Sequence, residues 1–350
     1  MRTPRRLLLG MALVVVLALT GCGGARGAAP DAPGFRVGLV TNVGKIDDKS
    51  FNQSVWEGVQ QARRDVPGIT EIKYIETTDS KDYEKNIAQF GDAGYDVIVT
   101  VGFPLTETTY QAAKRYPTIR FIGVEQVLGA DAQHPDWPLP NLVGITYEDD
   151  KGGFLAGALA GLMTRTGTVG AVLATDAVPP VYRFGEGYRA GARYANPAVN
   201  VVVAFHNDVG VDRTFIDPEW GKTTAQSQVD RGADIIFGAG GNTGNGALIG
   251  TVERGRWAIG VDADQYDTVP ESKRGLLSSA MKLLSPATAQ LIRTAKEGAF
   301  RPGLFTGEVA LAPFHDLDAQ VPAQVRSRLA EINRGLADGS IKTGVPAVKP

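Results

Sequence analysis

From residue 35 onward, short apolar, β-branched runs alternate with longer stretches in which apolar residues recur every three or four positions. The short runs are typical of strands and the longer stretches of amphipathic helices. In the first half the predicted strands cover residues 36–41, 72–76, 96–101, 120–124 and 143–147. The predicted helices between them cover residues 50–64, 82–92 and 105–115. This alternation predicts a parallel sheet wrapped by helices.

The same alternation begins again after residue 147. Strands are predicted at residues 169–174, 199–205, 234–237 and 257–261, and helices at 149–163, 181–194, 219–231 and 243–253. Two further strands, near 276–281 and 308–312, close the chain. One large sheet is the alternative, but the restart favours two doubly wound lobes that bind ligands beyond the carboxyl ends of their strands.

We expect the first lobe to take residues 35–146 plus about 276–312, and the second 147–275 plus about 313–350. The chain would then cross between the lobes several times. Such crossings form a hinge that permits closure around a ligand.

The N-terminal residues predict export. Three arginines precede an apolar run over residues 7–19, which is short for a membrane span and typical of a secretory signal. The sequence Leu-Thr-Gly-Cys that ends at Cys22 resembles the bacterial lipobox, in which the signal is cleaved before a cysteine that carries lipid. We predict a signal peptide over residues 1–21 and a lipidated tether over 22–34. The alternative is a secreted protein with a free thiol, since this is the only cysteine.

Composition argues against nucleic acid as a partner. The chain is 43% hydrophobic and 21% charged, as in soluble globular proteins. Without the signal it carries 33 basic and 38 acidic residues, and the basic residues are scattered among the acids. We therefore expect it to touch the cell membrane through its lipid alone, on the extracytoplasmic face.

The segment after the first predicted strand is the densest in polar and aromatic residues. Ser50, with Gln53 three residues later, fits a helix capping box, and Asp47 or Asp48 would complement the helix dipole. Phe51 and Asn52 are harder to assign to the core. An aromatic face beside an amide that donates and accepts suits a flat heterocyclic ligand.

Motifs for catalysis are missing from the sequence. It contains neither a G-x-S-x-G elbow nor a P-loop, and its three histidines lie far apart without metal-ligand spacing. The glycine-rich loop around Gly240 fails the G-x-G-x-x-G spacing because Thr243 takes the third position. Its backbone amides would still suit a cleft wall. Two aspartate pairs, Asp47-Asp48 and Asp262 with Asp264, lack a companion motif for a Mg²⁺ site. We predict a protein that is not an enzyme and holds neither cofactor nor metal.

The chain resembles the basic membrane protein (BMP) family of lipoproteins, the substrate-binding components of ABC importers. The resemblance covers essentially the whole chain after the signal and lies in the order and spacing of its segments: 47–58, 102–103, 147–161, 184–191, 232–237, 240–246, 261–265 and Lys282. It implies a periplasmic binding protein type I-like α/β fold, with two doubly wound Rossmann-like lobes joined by a multi-strand hinge. It also implies an ABC permease and ATPase as partners and a nucleoside, with a purine base expected, as ligand.

The resemblance implies that Asp262 and Lys282 hold the sugar hydroxyls and that Phe51 and Phe184 hold the faces of the base. Alternatives stay open: the acid and amine would also suit a structural ion pair, and Phe184 would also suit the core. Gly102 lies in another of the matching segments. Asn52 and Asp48 would address the base edge or the sugar.

One residue departs from the family pattern. Many relatives carry an aspartate after the fourth strand, where this chain has Glu125. The added methylene alters which base edge the carboxylate meets and leaves the base identity open. The expected ligand-binding residues are Asp48, Phe51, Asn52, Gly102, Glu125, Phe184, Gly240, Asp262 and Lys282. A sugar or autoinducer as ligand, a nucleoside hydrolase, and a sensor uncoupled from transport are the alternative functions.

Overall fold

The computed structural model describes residues 34–350. The predicted signal peptide and Cys22 lie outside the described residues. Within residues 34–350, no helix combines the length and the apolar character that crossing a membrane requires.

The first lobe is built on a sheet of six parallel strands, in the order β11-β5-β4-β3-β1-β2. The strands are β1 (Phe35–Val43), β2 (Ile69–Thr77), β3 (Val97–Val101), β4 (Arg120–Val124), β5 (Leu142–Tyr147) and β11 (Gly303–Gly307). Four helices belong to this lobe: α1 (Phe51–Asp65), α2 (Tyr83–Asp92), α3 (Thr106–Arg115) and α10 (Leu284–Lys296). Every residue of β3 is buried, as expected for a strand with helices on both faces of its sheet.

The second lobe repeats this design, with the strand order β12-β10-β9-β8-β6-β7. Its strands are β6 (Thr168–Leu173), β7 (Asn200–Phe205), β8 (Ile235–Ala239), β9 (Trp257–Asp262), β10 (Leu276–Lys282) and β12 (Val309–Leu311). Only β12 runs antiparallel to its neighbour in this sheet. The helices are α4 (Asp149–Met163), α5 (Pro179–Ala195), α6 (Val211–Thr214), α7 (Pro218–Asp230), α8 (Gly241–Glu253), α9 (Gln265–Thr268) and α11 (Ala323–Asp338).

The structure corrects the lobe assignment of the chain after residue 275. We expected residues 276–312 in the first lobe, but β10 pairs with β9 in the second sheet. The strand predicted at 308–312 is present as β12, but it joins the second sheet, and β11 of the first sheet was not predicted. Local periodicity identifies a strand but does not say which sheet it joins, because strand pairing is non-local. The chain crosses between the lobes at residues 147–149, 282–284 and 307–309.

Two of the segments that carry the family resemblance serve helix packing. Helices α4 and α5 approach so closely that a Cβ at Gly157 would lie 2.0 Å from the carbonyl oxygen of Tyr188. A Cβ at Gly191 would lie 1.9 Å from the carbonyl oxygen of Phe154. Real Cβ atoms do not approach backbone this closely, so glycine is required at the contact. The glycines in both helices are therefore explained by the close packing of α4 against α5.

We expect Gly191→Ala to lower the free energy of unfolding by about 2 kcal/mol, because the added methyl forces the two helices apart. Chemical denaturation would measure the loss. Gly210→Ala is the matched control, since a Cβ there meets nothing within 4 Å and should leave stability nearly unchanged. Equal stability of both variants would contradict the packing account.

Candidate functional site

A cleft lies between the two lobes at the carboxyl ends of their strands. It encloses about 750 Å³ of empty space, including its open mouth. The walls include all nine residues that the sequence analysis selected: Asp48, Phe51, Asn52, Gly102, Glu125, Phe184, Gly240, Asp262 and Lys282. The structure thus brings the predicted residues together, although their roles in binding remain predictions.

Lys282, the last residue of β10, bridges the two lobes. Its Nζ lies 2.8 Å from Oε1 of Glu125 in the first lobe and 3.8 Å from Oδ1 of Asp262 in the second. A third carboxylate, Asp149 at the start of α4, lies 3.0 Å away. Burial disfavours the ammonium, but the three carboxylates outweigh it and raise the pKa of Lys282 above its usual value. The lysine is therefore positively charged at neutral pH.

Aromatic rings surround the same ammonium. Its Nζ lies 5.3 Å from the ring centre of Phe51, 5.1 Å from that of Phe184 and 5.7 Å from that of Tyr147. These distances allow cation–π attraction between the ammonium and each ring. Phe184 also packs in the core of the second lobe, with its ring centre 6.0 Å from that of Phe237. Phe184 therefore belongs both to the core of the second lobe and to the cleft wall.

The start of α1 differs from the predicted capping box. The Asp48 carboxylate accepts hydrogen bonds from the backbone N–H groups of Ser50, Asn52 and Gln53 at 2.9–3.1 Å. The Ser50 hydroxyl makes no capping bond and instead donates to Oδ2 of Asp262 at 2.8 Å. Ser50 is the N-cap residue by position, as predicted, but the capping box is wrong because the two oxygens of Asp48 already reach the free N–H groups. Burial raises the pKa of Asp48 to about 7, against the opposing effect of those N–H donors.

The cleft residues occupy matching positions in the two sheets. Glu125 follows β4 and Asp262 ends β9, and both have left-handed backbone, with φ of 58° and 65°. Gly102 follows β3 and Gly240 follows β8, with φ of 105° and 123°. Left-handed backbone is costly for residues other than glycine and persists where the surroundings impose it, often at functional sites. The two lobes thus present one carboxylate and one glycine each at equivalent strand ends.

Sequence reasoning missed two polar residues of this region, Asn42 and Asp149. Asn42, near the end of β1, lines the cleft, and its Oδ1 is buried without a hydrogen-bond partner among residues 34–350. The Oδ1 of Asn52, one of the predicted residues, is also buried without a hydrogen-bond partner in that range, while its Nδ2 donates to the carbonyl oxygen of Lys45 at 3.1 Å. Buried amide oxygens are rarely left without donors, so both point to a polar ligand. The position of Asn42 near the end of a predicted strand was the one sequence signal that could have indicated a place in the cleft.

Asp149 was missed because an acidic residue at a helix start is ordinary. The structure buries it fully, with its Oδ1 3.0 Å from Nζ of Lys282 and its Oδ2 3.7 Å from the guanidinium of Arg183. Its pKa is raised by burial, with the nearby ammonium acting in the opposite direction. No sequence signal distinguished it from Asp150.

Hydrogen bonds join the lobes on two sides of the cleft. Asn245 donates to the carbonyl oxygen of Asp48 at 2.8 Å, and Thr268 donates to that of Lys49 at 2.7 Å. On another side, the Ser80 hydroxyl donates to Asp212 at 2.7 Å. The structure is therefore a closed arrangement, and opening it would break these bonds.

Comparison with known proteins agrees with this architecture. A family model described as "ABC transporter substrate-binding protein PnrA-like" (Bmp) matches residues 35–307. A solved structure of an ABC transporter solute-binding protein from Aeropyrum pernix has a TM-score of 0.75 at 22% identity, covering 88% of this chain and 92% of that one. It shows the type I-like two-lobe fold that the sequence resemblance implied.

Two curated relatives span nearly the same length. The CD4+ T-cell-stimulating antigen of Listeria monocytogenes is 31% identical, covering 88% of this chain and 87% of that protein. The ABC transporter nucleoside-binding protein BmpA of Lactococcus lactis is 28% identical, covering 95% of this chain and 96% of that protein. Together with the family match, these relatives confirm the resemblance: the chain belongs to the Bmp family of PnrA-like ABC transporter substrate-binding proteins.

Proposed function

We propose that this substrate-binding protein captures a nucleoside with a purine base and delivers it to the permease and ATPase of an ABC importer. One observation carries the proposal: a single closed cleft combines two aromatic walls, an acid–amine cluster and buried amide oxygens without donors. Each part matches one portion of a nucleoside.

The acid–amine cluster matches the sugar. Vicinal ribose hydroxyls both donate and accept hydrogen bonds. The carboxylate of Asp262 is positioned to accept from them and the ammonium of Lys282 to donate. In the absence of such donors the buried carboxylates face one another around a single amine, so sugar hydroxyls would relieve an unfavourable arrangement.

The aromatic walls and the amides match the base. Phe51 and Phe184 approach the same point of the cleft and would cover the two faces of a flat ring. The free oxygens of Asn42 and Asn52 would accept from N–H groups on its rim. The buried carboxylates should repel a phosphate, so we expect nucleosides to bind and nucleotides to be rejected. The printed name of the Lactococcus relative supports the same ligand class.

The predicted N-terminal signal indicates where in the cell the protein would bind its ligand. We propose that Cys22 carries lipid and holds the protein on the extracytoplasmic face of the cell membrane. The mass of the N-terminal peptide from membrane-extracted protein would show the lipid directly. An unmodified thiol there would instead support a freely secreted protein.

A binding screen tests the proposal. We expect adenosine, guanosine or inosine to raise the melting temperature and to bind in titration calorimetry, whereas ribose and AMP do neither. Stabilisation by a free sugar without any response to nucleosides would favour the sugar-binding alternative. Release of free base from the incubated nucleoside would show an enzyme instead of a binding protein.

A further inference from the structure

The floor of the cleft buries more negative than positive charge. The carboxylates of Glu125, Asp149 and Asp262 all lie within 4 Å of one ammonium, that of Lys282. All three side chains are less than a tenth exposed. If every group were ionised, the cluster would hold two uncompensated negative charges.

Neighbouring groups do not remove this excess. Arg183 of α5 lies 3.7 Å from Asp149, but its guanidinium also pairs with Asp150 and donates to the carbonyl oxygen of Tyr147 at 3.2 Å. The charges of Arg183 and Asp150 therefore cancel. The remaining titratable neighbours are Tyr147, from β5, and Asp48, a further buried acid on the side of Asp262.

The hydrogen bonding indicates the same shortage of protons. Asp149 is fully buried, and apart from the ammonium of Lys282, 3.0 Å from its Oδ1, it has no hydrogen-bond donor within residues 34–350. A buried carboxylate whose close donor is an ammonium shared with two other carboxylates is costly. Adding a proton to one carboxyl removes one charge and creates a hydrogen-bond donor inside the cluster.

We propose that the closed cleft holds one proton, shared within the cluster of Glu125, Asp149, Asp262 and Lys282, and that closure on the ligand takes this proton from solvent. Glu125 and Asp262 come from opposite lobes, so opening separates and hydrates them. A hydrated carboxyl releases the proton near its ordinary pKa of about 4.3. The identity of the ligand rests on the proposed function, whereas the proton rests on the cluster.

Burial and the charge of Asp149 raise the pKa of Glu125 to about 8 in the closed arrangement, despite the opposing ammonium of Lys282. A group with a higher pKa in the closed state favours closure at low pH. The contribution of the bound proton to closure is lost as pH rises towards the closed-state pKa. The ligand affinity then falls by up to about tenfold per pH unit. We expect adenosine, whose base does not titrate in this range, to bind about 50-fold more weakly at pH 8 than at pH 6.

Calorimetry at pH 7 in phosphate and in Tris tests the proton directly, because the two buffers differ in ionisation enthalpy. We expect the difference in heat to correspond to uptake of about one proton per adenosine. Glu125→Gln should abolish the uptake. Glu148→Gln should retain it, since that exposed glutamate pairs with Lys151 outside the cluster. Adenosine binding with the same heat in both buffers would overturn the inference.

Failure of all nucleosides to bind would refute the proposed function without deciding on the proton. A disulfide between Ser80→Cys and Asp212→Cys, which face each other across the cleft, would then hold the lobes closed. The infrared difference between this protein and its Glu125→Gln form should show the C=O stretch of one protonated carboxyl at neutral pH. Absence of that band would overturn the inference independently of any ligand.

Discussion

Asp262→Asn is expected to weaken nucleoside binding by about 30-fold, or about 2 kcal/mol, while leaving the stability of the unliganded protein unchanged or slightly increased. The affinity falls because the amide removes the charged acceptor offered to the sugar hydroxyls. Stability does not fall because the carboxylate belongs to a cluster with excess negative charge, and burial raises its pKa. Asparagine also tolerates the left-handed backbone at this position, where φ is 65°.

Asp264→Asn is the matched control for this variant. Asp264 lies two residues further on, bonds to His315 at 2.7 Å and does not line the cleft. Its substitution should leave affinity intact. Titration calorimetry with adenosine and thermal melting without ligand separate the two effects, and unchanged affinity of Asp262→Asn would remove the carboxylate from the proposed site.

Lys282→Met is expected to lower the free energy of unfolding by at least about 3 kcal/mol at pH 8, because three buried carboxylates lose their shared cation. The loss should shrink as pH falls. Burial holds the carboxyl pKa values above those of the unfolded chain, so the folded variant binds more protons and gains stability at lower pH. Denaturant titrations at pH 8 and pH 6 would measure the difference.

Lys151→Met serves as the control for the loss of a lysine. The Lys151 side chain on α4 is 25% exposed and pairs with exposed Glu148, and ion pairs that are open to solvent contribute little. Its substitution should cost well under 1 kcal/mol at either pH. A Lys282→Met variant as stable as this control, or one that is more stable at high pH, would contradict the charge balance described for the cluster.

The sequence predicted a fold of two lobes and nine residues of the cleft wall because strand order and strand ends follow from local patterns. Strand-rich runs separated by helical runs define parallel sheets, and residues that follow the strands meet at one edge. Asp262 and Lys282 end their strands, and Glu125 follows one directly. Family resemblance then indicated which of these residues to expect in contact with a ligand.

The features that the sequence did not predict depend on contacts between segments that are distant along the chain. The placement of β10 in the second sheet follows from pairing with β9, which no local pattern reveals. Asp149 looks like any acid at a helix start until its contact with Lys282 is known. Likewise, Ser50 fits a capping box in sequence, but its hydroxyl bonds to Asp262 in the other lobe.

A crystal structure with bound guanosine tests the central claim most directly. We predict density for the base between the rings of Phe51 and Phe184, with the ribose hydroxyls within hydrogen-bond distance of Asp262 and Lys282. A base bound away from both rings, or a ribose directed away from the acid–amine cluster, would contradict the account.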